Sequence, residues 1–236
     1  MSQYRRLMRR LYAVRLLRLA KKRMKYQDLE NLLGIDSTLL ARYVSGKVIP
    51  GPEQTEKILS GIQHVLSIED IIRAHIESMR GYIDLAPILS DIDMLNALAF
   101  ELSSRYEGDN ISKVLVPETS GIGLASLIAS ILNADLAVAR RRKENPLAEY
   151  VEEHLVVPPN IKRTFYLRRN LLEEGDRVLI VDDIVHTGLT LRIMRSLIEK
   201  SKAALIGIAS IVVVGWEWRK VIGQDVRVET VLYITK

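Results

Sequence analysis

The chain has 236 residues, 48% of them hydrophobic, and a formal net charge of +5. This length and apolar content suffice for one large or two modest folded domains. No apolar run approaches the roughly 18 residues of a membrane-spanning helix, and the lack of cysteine excludes disulfides and thiolate metal sites. We therefore expect a cytoplasmic protein without a membrane segment.

The charge is divided unevenly along the chain. Residues 1–65 hold 13 Lys and Arg against 5 Asp and Glu, a net +8, whereas residues 66–236 hold 21 against 24, a net −3. A basic segment of this kind predicts a polyanionic partner for the first quarter of the chain. A solvated amphipathic helix without a partner, or a targeting peptide, would have a similar composition.

The first predicted helix, Tyr4–Lys25, is basic and amphipathic. Its apolar side chains recur at three- and four-residue spacing and share one helical face: Leu7, Leu11, Val14 and Leu17. The next segment, YQDLENLLG, has a short helical pattern that ends at Gly34, a residue that takes positive φ without steric cost.

A third helix is predicted over Leu39–Val44. Asp36 or Ser37 offers its N-cap, and Gly46 ends it. A fourth helix begins at Pro52, which suits the first helical position, and has an apolar side made of Ile58, Leu59 and Ile62.

The stretch GIDSTLLARYVSGK, with the proline-containing turn and helix after it, resembles the helix-turn-helix of the Cro/phage-repressor class. That resemblance implies a DNA-binding domain in which one set of side chains reads bases and another lies near the backbone. By position these are Ser37, Thr38 and Arg42 for the bases, and Lys47 and Tyr26 for the backbone. The sequence departs from the class at Glu30, where a small residue is usual. The alternative is a four-helix cap that only dimerises the protein.

Ile68–Arg80 is predicted to be a connecting helix that ends at Gly81. From Tyr82 onward, strand-like apolar runs alternate with helical patterns. The strands are Lys113–Val116, Leu136–Ala139, Arg177–Val181, Leu205–Val214 and Val226–Ile234, and the helices are Met94–Tyr106, Leu124–Leu132 and Leu191–Lys200. This alternation predicts an α/β fold, a mainly parallel twisted sheet with helices on both faces, after a small all-α domain. The predicted domains are 1–65, a connecting helix over 66–81, and 82–236.

The segment Val178–Thr190, VLIVDDIVHTGLT, holds the residues with the clearest chemistry. Two acids end a buried strand, and Thr187-Gly188 leads into a helix near Thr190. Amides at a helix N-terminus bind a phosphate dianion, with Thr187, Gly188 and Thr190 contributing. Two carboxylates at the carboxyl edge of the sheet, Asp182 and Asp183, can accept the vicinal hydroxyls of a ribose. The segment therefore predicts a site for a ribose 5-phosphate compound.

This segment resembles the phosphoribosyl pyrophosphate (PRPP) signature of the type I phosphoribosyltransferases. The resemblance implies that the whole loop binds PRPP or a nucleotide: Asp182, Asp183, Ile184, Val185, His186, Thr187, Gly188, Leu189 and Thr190. We interpret His186 as a loop side chain and not as a catalytic base.

A second segment, KVLVPETSGIGLASLIASILNADLAVARR, resembles the pyrophosphate loop of the same family and the strand that follows it. The resemblance implies a pyrophosphate site formed by Glu118, Thr119, Ser120, Gly121, Arg140 and Arg141. It also implies Mg²⁺ bound with PRPP near Asp182 and Asp183, without a metal site made by the protein alone. The Thr119-Ser120 pair stands where adenine enzymes usually carry an arginine, and the stretch TSGIGLA that begins at Thr119 resembles the bacterial purine repressors.

Two further segments have open interpretations. By the same resemblance, Arg142–Lys162 is a mobile hood loop that closes on the site, or else an exposed connection containing Pro158-Pro159. Trp216 and Trp218 follow a hydrophobic strand, where an indole could stack on a purine or pack in a dimer interface. The sequence does not decide between these roles.

The leading hypothesis is a homodimeric or tetrameric (dimer-of-dimers) transcriptional regulator that binds double-stranded DNA and senses PRPP or a purine nucleotide. The alternative is an active purine phosphoribosyltransferase that converts a base and PRPP to a nucleoside monophosphate and pyrophosphate. An RNA-binding regulator is a third reading of the basic segment.

Overall fold

The computed structural model describes residues 3–78, 82–157 and 161–235. The chain divides into two compact units, Met1–Phe100 and Glu101–Lys236. This division lies downstream of the predicted boundary between residues 81 and 82, and the predicted domain limits stay a prediction. Among the described residues, no helix has both the length and the apolarity needed to span a bilayer.

The first unit is helical. Its helices are α1 (Gln3–Lys21), α2 (Tyr26–Leu33), α3 (Ser37–Val44), α4 (Pro52–Gln63), α5 (Ile68–Ser78), α6 (Ala86–Ser90) and most of α7 (Ile92–Ser104), which continues into the second unit. The predicted connecting helix was to end at Arg80 and Gly81, which lie outside the described residues.

Helices α2 and α3 are joined by a tight turn. Gly34 ends α2 with a φ of 62°, and Asp36 begins α3 by accepting the amides of Thr38 at 2.9 Å and Leu39 at 3.3 Å. The Glu30 carboxylate accepts the amide of Ser37 at 3.3 Å. A carboxylate at a helix N-terminus is favourable because the first amides of the helix lack intrahelical partners. Glu30 is therefore accommodated between the two helices as a second cap.

The second unit contains a five-stranded sheet in the order β2-β1-β5-β6-β7, and each neighbouring pair is parallel. The strands are β1 (Lys113–Pro117), β2 (Asp135–Ala139), β5 (Arg177–Val185), β6 (Ala204–Val214) and β7 (Val228–Ile234). Helices α8 (Ile122–Leu132), α9 (Leu189–Lys200) and the short α10 (Glu217–Ile222) connect them. The predicted α/β class with a parallel sheet is confirmed.

A two-stranded antiparallel hairpin departs from the prediction. Strands β3 (Tyr150–Val157) and β4 (Ile161–Arg168) pair from Tyr150 opposite Arg168 to Val157 opposite Ile161, and a 3₁₀ turn, Arg169–Leu171, follows. The predicted loop over Arg142–Lys162 thus contains strand from Tyr150 onward, because Val151, Glu153 and Leu155 alternate with more exposed residues and pack one face of β3 inward. Pro158-Pro159 lies outside the described residues.

Close packing fixes the position of β6 against Tyr106, which lies in the turn after α7. The Tyr106 side chain is 1% exposed, and its hydroxyl donates to the Ile208 carbonyl at 2.6 Å. A β-carbon on Gly207 would lie 2.6 Å from the Tyr106 ring, so only glycine fits there. Burial raises the pKa of Tyr106, which keeps its hydroxyl protonated as a donor.

Candidate active site

The phosphate loop lies between strand β5 and helix α9. The strand runs to Val185, and Gly188 precedes α9 with a φ of 74°. Thr187 and Gly188 therefore lead directly into the free amides at the start of α9, and the Thr187 hydroxyl is 3.5 Å from the amide of Leu189. His186 and Thr187 are exposed, whereas Thr190 is partly buried. This arrangement offers backbone donors to a phosphate dianion.

The two acids stand near the carboxyl end of β5. The Asp182 carboxylate accepts the amide of Asp183, and the Asp183 carboxylate accepts the amide of Ile184, each at 3.0 Å. Burial and the neighbouring Asp183 carboxylate raise the pKa of Asp182 well above its ordinary value. A cation or a hydroxyl donor between the two carboxylates would favour the ionised form.

The pyrophosphate loop follows β1, the strand next to β5. The Glu118 amide donates to the Ala139 carbonyl at 2.9 Å, and the peptide bond between Glu118 and Thr119 is cis. A β-carbon on Gly121 would lie 3.6 Å from the Asp183 amide nitrogen and 3.7 Å from the Asp182 α-carbon. The two predicted loops therefore touch at one edge of the sheet.

Arg140 and Arg141 join the pyrophosphate loop from the end of β2. The Glu118 carboxylate accepts the Arg141 amide at 2.8 Å and lies 3.4 Å from Arg140 Nη1. These contacts lower the pKa of Glu118, the Arg141 amide contributing most. The Arg141 guanidinium lies 4.5 Å from the centre of the Phe165 ring, which holds it against the hairpin.

The donor set suits a magnesium ion that arrives with its phosphate ligands. Asp182 and Asp183 supply carboxylate oxygens, which Mg²⁺ prefers. Among the described residues, no three His, Cys, Asp or Glu side chains are grouped closely enough to hold a metal ion. The two carboxylates thus fit a Mg²⁺ ion that would be held by Asp182 and Asp183 together with oxygens of the substrate.

Two residues that support the site were not predicted. Ser210 is fully buried in β6, and its hydroxyl lies 3.2 Å from the Asp183 carbonyl. Trp218 packs against the phosphate loop, because a β-carbon on Gly188 would lie 3.0 Å from Trp218 Cα. A serine inside the apolar run ALIGIASIVVV was a visible signal for the first, whereas nothing local marks the contact of Trp218 with Gly188.

The residues predicted to bind DNA lie in the first unit. Ser37 begins α3 and is partly buried. Tyr26 begins α2, and the Lys21 ammonium nitrogen lies 4.8 Å from the centre of the Tyr26 ring. The exposed members of the set are Thr38, Arg42 and Lys47.

The basic side chains of α1 make contacts within the first unit. Arg9 forms a two-point ion pair with Glu56 at 2.8 and 2.9 Å, and Arg15 lies 3.0 Å from Asp93. Arg10 and Arg18 donate to backbone carbonyls at 2.7 and 2.8 Å. Much of the positive charge that predicted a polyanionic partner thus joins α1 to other segments of its own unit.

The fold and the site together define a class: an α/β protein in which a glycine-containing loop at a helix N-terminus meets a second loop at the carboxyl edge of a parallel sheet. The phosphoribosyl transferase domain family matches residues 88–235. The chain belongs to this family.

Named relatives are purine enzymes. Xanthine phosphoribosyltransferase 1 of Clostridium perfringens is 30% identical over 151 residues, covering 62% of this chain and 80% of that protein. Xanthine phosphoribosyltransferase of Bacillus mycoides is 30% identical over 182 residues, covering 75% and 84%. The adenine phosphoribosyltransferase structure from Rhodothermus marinus is 27% identical, with a TM-score of 0.59 over 65% of this chain and 86% of that chain.

These relatives correct the leading hypothesis from the sequence. The prediction of a DNA-binding transcriptional regulator is wrong, because the matching proteins are phosphoribosyltransferases by name. The Bacillus match spans 75% of this chain and so reaches upstream of residue 88, where the family match begins. The alternative that we derived from the sequence, a purine phosphoribosyltransferase, has the better support.

Proposed function

We propose that this protein transfers the 5-phosphoribosyl group of PRPP to a purine base and releases the nucleoside 5′-monophosphate and pyrophosphate. The observation that carries the proposal is the contact between the two loops. Gly121 of the pyrophosphate loop packs on the backbone of Asp182 and Asp183. A ribose held at β5 therefore has its leaving group beside the loop that follows β1.

Different residues bind different parts of PRPP. The amides after Gly188, with Thr187 and Thr190, hold the 5′-phosphate, and Asp182 and Asp183 accept the ribose hydroxyls. The loop from Glu118 to Gly121 holds pyrophosphate. Arg140 and Arg141 add positive charge there, which stabilises the charge that develops as the bond from C1′ to oxygen breaks.

Catalysis then depends on charge at the anomeric carbon. As pyrophosphate departs, C1′ becomes cationic, and the ionised carboxylates on the ribose lie close enough to stabilise it electrostatically. When bound with PRPP, Mg²⁺ neutralises charge on the leaving pyrophosphate. The base nitrogen attacks from the opposite face of the sugar and forms the bond to C1′ as the bond from C1′ to the pyrophosphate oxygen breaks, and the proton of that nitrogen passes to the released pyrophosphate or to water.

We take xanthine as the first candidate base, because the sequence relatives described above are xanthine enzymes, and adenine as the second. The test is turnover with Mg²⁺ and PRPP and each of xanthine, hypoxanthine, guanine and adenine, measured by chromatography of the nucleotide product. We expect one base to be consumed with stoichiometric release of pyrophosphate. No product with any of the four would refute the proposal.

The cytoplasmic location and the homodimeric state of the protein stay predictions. Light scattering of the purified chain tests the oligomeric state.

A further inference from the structure

A buried hydroxyl crosslinks β6 to the strand that carries the two acids. Ser210 of β6 lies opposite Asp182 of β5 and is 0% exposed. Its hydroxyl is 3.2 Å from the Asp183 carbonyl oxygen and 3.0 Å from the Val212 carbonyl oxygen of its own strand. A hydroxyl carries one proton, and a buried donor without an acceptor is costly. The proton of Ser210 is therefore held between these two carbonyls, one on each strand.

The peptide group between Asp183 and Ile184 connects this hydroxyl with the Asp183 side chain. The carbonyl of the peptide accepts from Ser210, and its N–H, on Ile184, donates to the Asp183 carboxylate at 3.0 Å. Because a peptide group is planar, its carbonyl and its N–H turn as one rigid unit. A hydroxyl that fixes the carbonyl therefore also fixes the donor that orients the carboxylate.

Contacts from two sides hold the main chain at Asp183. The Asp182 carboxylate accepts the Asp183 amide at 3.0 Å, and a β-carbon on Gly121, after β1, would lie 3.6 Å from the Asp183 amide nitrogen. Ser210 supplies the contact on the carbonyl side, from β6. Loss of the Ser210 hydroxyl would therefore leave the amide side of Asp183 in place and release the peptide whose N–H binds the carboxylate.

The orientation of the Asp183 carboxylate decides how well it accepts a hydroxyl, because a hydrogen bond weakens steeply when it is misaligned. We propose that Ser210 is a positioning residue. Through the peptide between Asp183 and Ile184 it orients the Asp183 carboxylate toward a ribose hydroxyl, and it thereby sets the preference of the site for ribose over a deoxyribose. This inference rests on the proposed function, in which Asp182 and Asp183 accept the hydroxyls of the ribose.

Thr230 of β7 offers a matched control. It lies opposite Ser210, and its hydroxyl is 3.1 Å from the Ile211 carbonyl oxygen of β6 and 3.1 Å from the Leu232 carbonyl oxygen of its own strand. Thr230 thus crosslinks β7 to β6 as Ser210 crosslinks β6 to β5, but one strand farther from the acids. Thr230→Val and Ser210→Ala each remove one such hydroxyl, so the free energy of unfolding should fall by a similar amount in both.

Calorimetric titration of the whole chain with ribose 5-phosphate and with its 2-deoxy and 3-deoxy forms tests the role of Ser210. In the wild type and in Thr230→Val, ribose 5-phosphate should bind about tenfold more tightly than at least one deoxy form, the factor expected for a hydrogen bond to a carboxylate. In Ser210→Ala this preference should fall to about threefold or less, while the affinity for that deoxy form stays within about twofold. An unchanged preference in Ser210→Ala, an equal fall in Thr230→Val, or a wild type without any preference would overturn the inference.

A double-mutant cycle shows whether Ser210 acts through Asp183. Asp183→Asn removes the carboxylate itself, so adding Ser210→Ala to it should leave the preference for ribose unchanged, and a further fall would contradict the inference. These titrations need neither a base nor turnover. Lack of turnover with all four purines would refute the proposed function, whereas a ribose preference that is lost in Ser210→Ala alone would still support the role of Ser210. A wild type that turns over a purine but does not bind ribose 5-phosphate would overturn only the inference.

Discussion

Asp182 is the residue at which stability and function are opposed. Its pKa is raised by burial and by the Asp183 carboxylate, so the folded state binds a proton more tightly than the unfolded chain does. The stability from this group is fully present below the unfolded pKa. It is lost as the pH rises through the folded pKa, because the buried carboxylate must then ionise.

We therefore expect Asp182→Asn to raise the melting temperature at neutral pH by about 2–4 °C, the shift that corresponds to ~1 kcal/mol. The same change should lower kcat/KM by about 100-fold or more, since the amide cannot supply negative charge to the ribosyl cation. Calorimetry and steady-state kinetics measure the two effects. Asp135→Asn, at the amino end of β2 and paired with Lys113 at 2.8 Å, is the control and should retain activity. A melting temperature that falls in Asp182→Asn would contradict the argument.

At the scale of an element, alanine substitutions at two glycines test whether the backbone of the phosphate loop depends on its contact with Trp218. Gly188 has a φ of 74°, and a β-carbon there would lie 3.0 Å from Trp218 Cα. Gly175 has a φ of 90° but no atom within 4 Å of a β-carbon. Both Gly→Ala changes thus carry the cost of a left-handed alanine, about 1–2 kcal/mol, and only Gly188→Ala adds crowding.

We expect Gly175→Ala to lower the free energy of unfolding and to leave KM for PRPP unchanged. Gly188→Ala should be destabilised further and should raise that KM by about tenfold, because the crowding displaces the amides that hold phosphate. Urea unfolding and kinetics separate the two variants. Equal behaviour of the pair would show that Trp218 does not support the loop.

The contact between the hairpin and α9 also belongs to this scale. The Glu153 carboxylate of β3 accepts the Ser196 hydroxyl and lies 3.0 Å from Lys200 Nζ. The Ser196 hydrogen bond contributes most to lowering the Glu153 pKa from 4.5 to about 2. A depressed pKa means that this stability is present above the unfolded value and is lost as the pH falls toward 2.

Glu153→Gln should therefore lower the free energy of unfolding at pH 7 by about 1–3 kcal/mol and flatten the loss of stability between pH 5 and pH 3. The matched control is Glu152→Gln: the Glu152 side chain is 54% exposed and pairs with Lys143, so this change should leave the free energy of unfolding nearly unchanged. Chemical denaturation at several pH values gives both results. Equal losses in the two variants would refute the role of Glu153.

At the scale of the whole molecule, the site lies in one of two units. Both tryptophans belong to Glu101–Lys236, so tryptophan fluorescence follows the unfolding of that unit. We expect Mg²⁺ and PRPP at 100 times Kd to stabilise it by about 2.7 kcal/mol. Asp183→Asn should abolish the shift, and a shift of the same size in that variant would show that PRPP binds elsewhere.

The local patterns in the sequence were sufficient for several elements. Gly34 and Asp36 marked the end of α2 and the start of α3, and the parallel sheet followed from strands alternating with helices. These features depend on neighbours in the chain, such as a positive φ or a cap two or three residues away. The hairpin over β3 and β4 was not predicted, because β3 becomes a strand by pairing with β4 and packing on α9.

The phosphate loop could be predicted from the sequence alone, because one strand, two acids and one helix start are contiguous from Val178 to Thr190. The three-dimensional fold was needed to show what the basic residues of α1 contact, since Arg9 meets Glu56 and Arg15 meets Asp93 far along the chain. The fold also brings Gly121 and Trp218 to either side of the phosphate loop. Such contacts join segments that have no local relation, and folding alone brings them together.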